Sequence, residues 1–282
     1  MNAELDSSPT SPPKEFEFQL PPFPVTATQL VTEINRDQVE VPKITQLIEC
    51  DPVISSKVLA LANSPIYCPS RPIATINHAV VILGFRSVSK LVLTIATSSV
   101  FADKNTPCLD ARLRTLKESL AVATAARLVA ERTGSVNADE AFLAGVMHDV
   151  GKLVLFNAAG EEYDELLKRH PGGNSTAEER ERFGATHPQL GSNCGASWGV
   201  PHDINIAISN HHESLNDVQD PLARMIVQAE VLARRWQVGF EGASPEAEDE
   251  TLEDAVAPFV ADEELHRETL EQFEAISQLC LG

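Results

Sequence analysis

Apolar residues recur along most of this chain at the three- and four-residue spacing of amphipathic helices, and no segment alternates apolar and polar residues as a half-buried strand would. Asp51 followed by Pro52 marks one helix start, because Asp caps free amides and Pro suits the first helical turn. The spacing predicts an all-α protein. Further helices are predicted over residues 73–83, 86–100, 109–132, 139–156, 161–169, 176–183, 187–198, 201–211, 222–237 and 262–279.

Polar and proline-rich segments divide the chain. Residues 1–20 mix Ser, Pro, Thr and acids, a composition that predicts a disordered tail. The polar stretch 101–108 predicts a boundary between an N-terminal helical half, 21–106, and a second half, 107–282. Within the second half, residues 241–252 are predicted to be a flexible acidic loop that precedes the C-terminal helix.

The charge balance narrows the possible partners. The net charge is −19 and the sequence pI is near 4.7, and from residue 241 to the end there are thirteen acidic residues and one basic residue. Because no basic stripe is present, direct binding of nucleic acid is not expected. The five cysteines form no C-x-x-C pair, which favours free thiols in a reducing, cytoplasmic compartment. No stretch reaches 18 uninterrupted apolar residues, so no membrane partner is expected.

The segment FLAGVMHDVGKLVLF places His148 and Asp149 side by side in an otherwise apolar helix. Burying both groups is costly unless something pairs them. One reading is a hydrogen-bonded core pair; the other is a metal site, because His187, His211 and His212 follow on later predicted helices. Helical proteins build metal sites in this way, and imidazole with carboxylate suits a divalent ion such as iron, manganese, zinc or nickel.

Several long segments, in order, resemble the HDOD family, a branch of the HD superfamily of metal-dependent phosphohydrolases. In the first half these are IECDPVISSKVLALANSPIY and PIATINHAVVILGFRSVSKLVL. In the second half they are ESLAVATAARLVAE, AFLAGVMHDVGKLVLF, FGATHPQLGSNCGASWGVPHDINIAISNHHE and ARMIVQAEVLA. The resemblance extends from about residue 21 to residue 281. It implies a multi-helical HDOD fold in which an N-terminal helical subdomain packs on an HD-like helical subdomain.

The resemblance also implies a set of metal ligands. The central pair of the superfamily matches His148 and Asp149, and in relatives with two metals this Asp bridges them. The next histidine matches His187, and the histidine doublet matches His211 and His212.

This chain departs from the superfamily at both ends of the ligand set. The first histidine of the pattern falls at Glu118, and the closing aspartate falls at Glu230. Either glutamate could serve as an altered ligand, or as an ordinary solvated or ion-paired helix residue. Lys152 matches a lysine that contacts phosphate in related enzymes, and could equally be a lysine at the edge of the cleft.

Two functions follow from the resemblance. The favoured one is a bacterial signal-transduction module with a modified metal site and little or no catalysis, whose partners are other signalling proteins. The alternative is a divalent-metal phosphohydrolase acting on a nucleotide or another phosphoester, in which Asp149 and Lys152 would be catalytic. The HD-GYP branch carries Gly-Tyr-Pro soon after its His-His-Glu, and this tripeptide is missing after Glu213, which counts against cyclic di-GMP as a substrate.

Overall fold

A computed structural model describes residues 16–36, 38–171, 174–240 and 250–281, and within these ranges the chain is helical and contains no strand. The all-α prediction is therefore confirmed. The described helices are α1 (Val25–Ile34), α2 (Val41–Glu49), α3 (Pro52–Ala62), α4 (Ile76–Leu83), α5 (Phe85–Phe101), α6 (Leu109–Thr133), α7 (Ala138–Met147), α8 (Gly151–Ala159), α9 (Glu161–Arg169), α10 (Thr176–Phe183), α11 (His187–Trp198), α12 (His202–Asn210), α13 (Pro221–Arg235), α14 (Glu250–Val260) and α15 (Glu263–Leu281).

Helix α6 is the centre of the second half. It packs against α7, α13 and α15, and every residue from Ser119 to Ala130 is buried, as expected of a helix covered on all sides. Gly145 on α7 lets the two helices approach closely, since a Cβ added there would lie only 2.4 Å from the Cα of Ala123 on α6. This tight α6–α7 contact fixes the position of the His148–Asp149 segment that follows α7.

The two halves meet along α5 and α7. At this contact the carboxylate of Asp139 accepts hydrogen bonds from Tyr67 (3.1 Å) and Ser87 (2.5 Å) of the N-terminal half, and from Arg127 (2.5 Å) of α6. The Arg127 guanidinium also lies 4.6 Å from the centre of the Tyr67 ring. Asp139, which is ion-paired with Arg127, thus ties the N-terminal helices to the helices of the candidate site through its hydrogen bonds with Tyr67 and Ser87.

The prediction of one continuous helix over residues 139–156 is wrong, because the structure contains two helices here, α7 and α8. Val150 donates to the carbonyl of Met147 (3.0 Å), and Lys152 donates to that of Asp149 (2.9 Å). Hydrogen bonds between residues three apart form a tighter turn than the α-helix, whose hydrogen bonds join residues four apart. Sequence spacing does not reveal the change, since the apolar pattern runs through the turn without a break.

Two further predicted segments fall partly outside the described residues. Of the predicted tail, residues 1–15 lie outside them, whereas residues 16–20 form neither helix nor strand, and Phe16 packs edge-to-face against Phe183 (5.1 Å). Of the predicted acidic loop, residues 241–249 lie outside them, and the loop prediction is wrong for residues 250–252, which begin α14. Helix α14 forms because Leu252 and Val256 bury one face, despite the internal Pro258.

One helical stretch, Ala138–Ala159, is apolar and long enough to cross a membrane by composition alone. In this fold 89% of its apolar window is buried inside the protein, so the stretch forms part of the core.

Candidate metal centre

The turn between α7 and α8 presents His148 and Asp149 to the interior, where they are 2% and 3% exposed. Nδ1 of His148 lies 2.7 Å from the carbonyl oxygen of Gly145. Because a carbonyl only accepts, Nδ1 carries the proton and Nε2 is left with a lone pair in the neutral ring.

His187 and the histidine doublet lie at the ends of two other helices. His187 is the first residue of α11, and His211 and His212 directly follow α12. His211 repeats the arrangement of His148, since its Nδ1 lies 2.7 Å from the carbonyl oxygen of Ile208. His187 differs, because its Nδ1 lies 2.8 Å from both carboxylate oxygens of Glu179.

These side chains converge on one point. Nε2 of His187 lies 3.2 Å from Nε2 of His211 and 3.3 Å from Oδ1 of Asp149. Nε2 of His211 lies 3.8 Å from the same oxygen, and Nε2 of His148 lies 3.4 Å from Oδ2. The ring of His212 is also close, with its centre 4.3 Å from that of His211 and 4.9 Å from that of His187.

The residues present fit a divalent metal ion. Two nitrogen ligands bound at about 2.0–2.1 Å to one ion lie about 3–3.4 Å apart in common geometries, which matches the His187–His211 separation. Oδ1 of Asp149 is buried without a hydrogen-bond partner among the described residues, as expected of an atom that faces an ion. Two overlapping groups have suitable ligand atoms within 4.8 Å of one another: His148, Asp149 and His211, and His187, His211 and His212.

The surroundings of the centre favour an ionised Asp149 beside neutral imidazoles at His211 and His212. Burial alone would raise the pKa of Asp149, but the nearby Lys152 ammonium lowers it well below its usual value. Burial lowers the pKa values of His211 and His212 well below their ordinary values. Ligands in these protonation states are ready to bind a cation.

Nζ of Lys152 donates a hydrogen bond to Oδ2, the second carboxylate oxygen of Asp149, at 2.7 Å. Burial alone would lower the pKa of Lys152, but Asp149, followed by Glu118, raises it well above its ordinary value. The ammonium is therefore a fixed positive charge on the side of Asp149 opposite its unpaired oxygen.

Glu118 and Glu230 both line the same cleft as Asp149 and Lys152, which has a volume of about 260 Å³. Burial raises the pKa of Glu118 to about 7, and the negative charges of Asp149 and Glu230 add to the rise while Lys152 opposes it. Glu230 accepts a hydrogen bond from Arg234 at 2.9 Å. Both glutamates thus lie beside the centre, and their role as ligands stays a prediction.

Sequence reasoning missed Glu179. It is completely buried on α10, a helix whose sequence is charged throughout, and it contacts His187 through both the side chain and the main chain. Burial alone would raise the pKa of Glu179, but His187, through its side chain and its main-chain amide, lowers it to about 2. The available signal was spacing: Glu179 lies four residues before Phe183, the other buried residue of α10, and so shares its helix face.

Gly151 explains how α8 and α11 come close enough to build the centre. A Cβ at this position would lie 1.9 Å from the carbonyl oxygen of His187 and 2.5 Å from the amide nitrogen of Gly191, both backbone atoms that cannot turn aside.

We expect Gly151→Ala to lower the free energy of unfolding by about 1–3 kcal/mol, the usual cost of overpacking, and to weaken metal binding by moving His187. Chemical denaturation and metal content check this, and a variant equal to wild type in both would contradict the assigned close contact.

The chain matches the HDOD domain model over residues 20–214. A solved HDOD domain protein of unknown function from Geobacter sulfurreducens is 27% identical, covers 93% of this chain and 92% of its own, and superposes with a TM-score of 0.69. A Shewanella amazonensis SB2B structure, provisionally called a metal-dependent phosphohydrolase, is 21% identical, covers 93% of each chain, has a TM-score of 0.66 and shows the fold alone.

Two more matches belong to longer proteins. A Marinobacter aquaeolei VT8 structure, provisionally called a signal transduction protein, is 21% identical with a TM-score of 0.68, and the match covers 93% of this chain and 60% of that one. An uncharacterised protein of Treponema pallidum (strain Nichols) is 21% identical over 197 residues, 68% of this chain. The matched region spans 37% of that curated relative's length.

Proposed function

Since this chain belongs to the HDOD family, we propose that it is a signal-transduction module that binds one divalent metal ion through His148, Asp149, His187 and His211, with little or no turnover. Its partners would be other signalling proteins in the cytoplasm. The family and the name given to the Marinobacter structure support the signalling role.

The observation that carries the metal proposal is the meeting of three atoms: Nε2 of His187, Nε2 of His211 and the unpaired Oδ1 of Asp149. They lie 3.2–3.8 Å apart and come from three separate segments of the chain. Two imidazole lone pairs this close repel each other unless a proton or a cation lies between them. A divalent ion would satisfy all three atoms at once and would hold the three segments together.

The position of Lys152 favours a centre with one metal ion over a centre with two. A bridging aspartate gives one oxygen to each metal, and two-metal hydrolysis needs ions about 3.5–4 Å apart. Here Oδ2 of Asp149 already accepts from the Lys152 ammonium at 2.7 Å, so a second cation beside it would be repelled. The glutamates at positions 118 and 230, where the superfamily pattern has histidine and aspartate, further alter the ligand set that a second ion would use.

A phosphohydrolase is the second candidate function, because basic side chains line the cleft near the centre. Arg114, Lys168 and His170 line it together with Lys152, so an anionic group could be held there. In that case a bound ion would polarise a phosphoryl oxygen and lower the pKa of a bound water. Against efficient turnover, Arg114 and Lys168 already pair with Asp164 at 2.5 and 2.8 Å.

The test combines metal analysis with an activity screen. We expect wild-type protein, purified and then reconstituted with manganese or iron, to hold one ion per chain. Turnover on nucleotides and cyclic dinucleotides should stay below about 0.01 per second, far under the roughly 1–10³ per second of typical enzymes. In Glu118→Ala most of the metal should persist, because this residue is not among the four proposed ligands.

Three outcomes would contradict the proposed function and distinguish the alternatives. A robust rate that disappears in Asp149→Ala would establish the hydrolase. Two ions per chain would contradict the single-ion site. Protein that retains no metal under any reconstitution would leave the fold as a binding surface only.

A further inference from the structure

The carboxylate of Glu179 is the most heavily hydrogen-bonded side chain around the centre. It accepts from the Tyr163 hydroxyl (2.7 Å), the Ser175 hydroxyl (2.8 Å) and the main-chain amide of His187 (2.8 Å), and it also contacts Nδ1 of His187. Glu179 and His187 are both 0% exposed. A buried glutamate with this many partners has no freedom to turn away.

The partners determine which nitrogen of His187 carries the proton. The amide of His187 can only donate, and the Tyr163 and Ser175 hydroxyls approach an acidic acceptor, so the carboxylate acts throughout as an acceptor. Nδ1 of His187 must then be the N–H that donates to it. In the neutral ring this leaves the lone pair on Nε2, the atom that faces Asp149 and His211.

The Nδ1 partner of His187 lies on another helix, whereas those of His148 and His211 lie in their own segments. Nδ1 of His148 and Nδ1 of His211 each meet the carbonyl three residues earlier in their own segment. The corresponding partner of His187 lies on α10, eight residues away, and is itself held by α9 through Tyr163. The orientation of this one ring is therefore set by tertiary packing.

Tyr163 is in turn fixed by its neighbours. Its ring packs edge-to-face against Phe156 of α8 (5.0 Å) and Phe183 of α10 (5.8 Å). Its buried hydroxyl donates to Oε1 of Glu179, the same oxygen that accepts from Ser175. Since a hydrogen bond to a charged group contributes more than a neutral one, this pair of donors holds the carboxylate in the orientation that meets His187.

We propose that Glu179 is a positioning residue for the metal centre: held by Tyr163 and Ser175, it fixes the tautomer and the orientation of His187 so that Nε2 can bind the ion. The inference rests on the proposed metal-binding function. Outer hydrogen-bond partners of metal-bound histidines commonly play this role, and their loss costs about 10–100-fold in metal affinity. No charge pattern in the sequence distinguishes Glu179 from its neighbours on α10.

The first measurement is metal affinity, by competition of Co²⁺ or Mn²⁺ with a chelator. Glu179→Ala should weaken binding by about 10–100-fold. Glu179→Gln should recover part of the loss, since the amide oxygen still accepts from Nδ1. Tyr163→Phe, which deletes only one hydroxyl from a packed ring, should weaken binding about 3–10-fold. The matched control is Glu181→Gln on the exposed side of α10, which should bind as wild type does.

The second measurement needs no metal and separates this proposal from the proposed function. Nitrogen-15 NMR of the imidazoles in metal-free protein at pH 8 should show His187 protonated at Nδ1 in wild type. In Glu179→Ala the ring should become a mixture of tautomers, while His148 and His211 keep theirs. If wild type binds no metal, the proposed function fails, and the tautomer result still decides whether Glu179 orients His187.

Either of two results would overturn the proposal. One is wild-type metal affinity in Glu179→Ala. The other is an unchanged His187 tautomer in that variant. If Glu179→Ala does not fold, Tyr163→Phe with an unchanged thermal transition provides the same test: the proposal requires weaker Co²⁺ binding and an altered visible spectrum of the bound Co²⁺, and it fails if both match wild type.

Discussion

Asp149→Ala is expected to abolish metal binding and to destabilise the fold at the same time. It removes the only carboxylate among the four proposed ligands, so metal affinity should fall beyond the roughly 10–100-fold that loss of an outer hydrogen-bond partner costs. It also leaves the Lys152 ammonium, whose side chain is 11% exposed, without the oxygen 2.7 Å away. Removing one partner of a buried ion pair typically costs about 3–5 kcal/mol.

A double variant separates the two effects. Asp149→Ala combined with Lys152→Met removes both charges, so most of the lost stability should return while metal binding stays absent. Unfolding by urea in the presence of a chelator measures the first effect, and metal content measures the second. If the double variant were no more stable than Asp149→Ala alone, the unpaired ammonium would not be the cause of the destabilisation.

Asp139→Ala is expected to lower the free energy of unfolding by about 3–5 kcal/mol without removing any proposed ligand. The change leaves the buried Arg127 guanidinium with only the more exposed Glu131 as an ion-pair partner, and it also removes the acceptor for Tyr67 and Ser87. The matched control is Glu131→Ala, which deletes the other acidic partner of Arg127. That pair is 3.1 Å long, but the Glu131 side chain is 41% exposed, so its loss should cost less than about 1 kcal/mol.

The stabilisation by Asp139 should depend on pH in a defined direction. Burial alone would raise the pKa of Asp139, but hydrogen bonds from Ser87 and Arg127 lower it below its ordinary value. A carboxylate with a lower pKa in the folded state contributes stability above its unfolded pKa of about 3.9, and this is lost as the pH falls through the folded value. The stability difference between wild type and Asp139→Asn should therefore be constant from about pH 8 to pH 5 and shrink below about pH 4. A difference that grew as the pH fell would contradict the assignment.

Much of this protein could be predicted from its sequence, because helical periodicity and helix caps are local properties. The apolar spacing predicted the all-α class, and Asp51 does cap α3, accepting from the amides of Val53 and Ile54. The succession of His148, Asp149, His187 and the doublet also predicted one shared site, and the structure brings these side chains together. The later histidines and the resemblance to the family pointed to a metal site, since the His148-Asp149 dipeptide by itself favoured a hydrogen-bonded core pair.

Only the tertiary structure decided how these groups are held. The sequence shows that Lys152 and Glu179 are present, but not that Lys152 occupies one oxygen of Asp149, nor that Glu179 and not Glu178 faces His187. It also does not show the tight turn at residues 148–150 that presents His148 and Asp149 to the interior. The physical reason is that these contacts join groups on different helices. Which polar side chain is buried, and against which partner, is set by the packing of α8, α10 and α11, whereas the sequence pattern reports only which face of each helix is apolar.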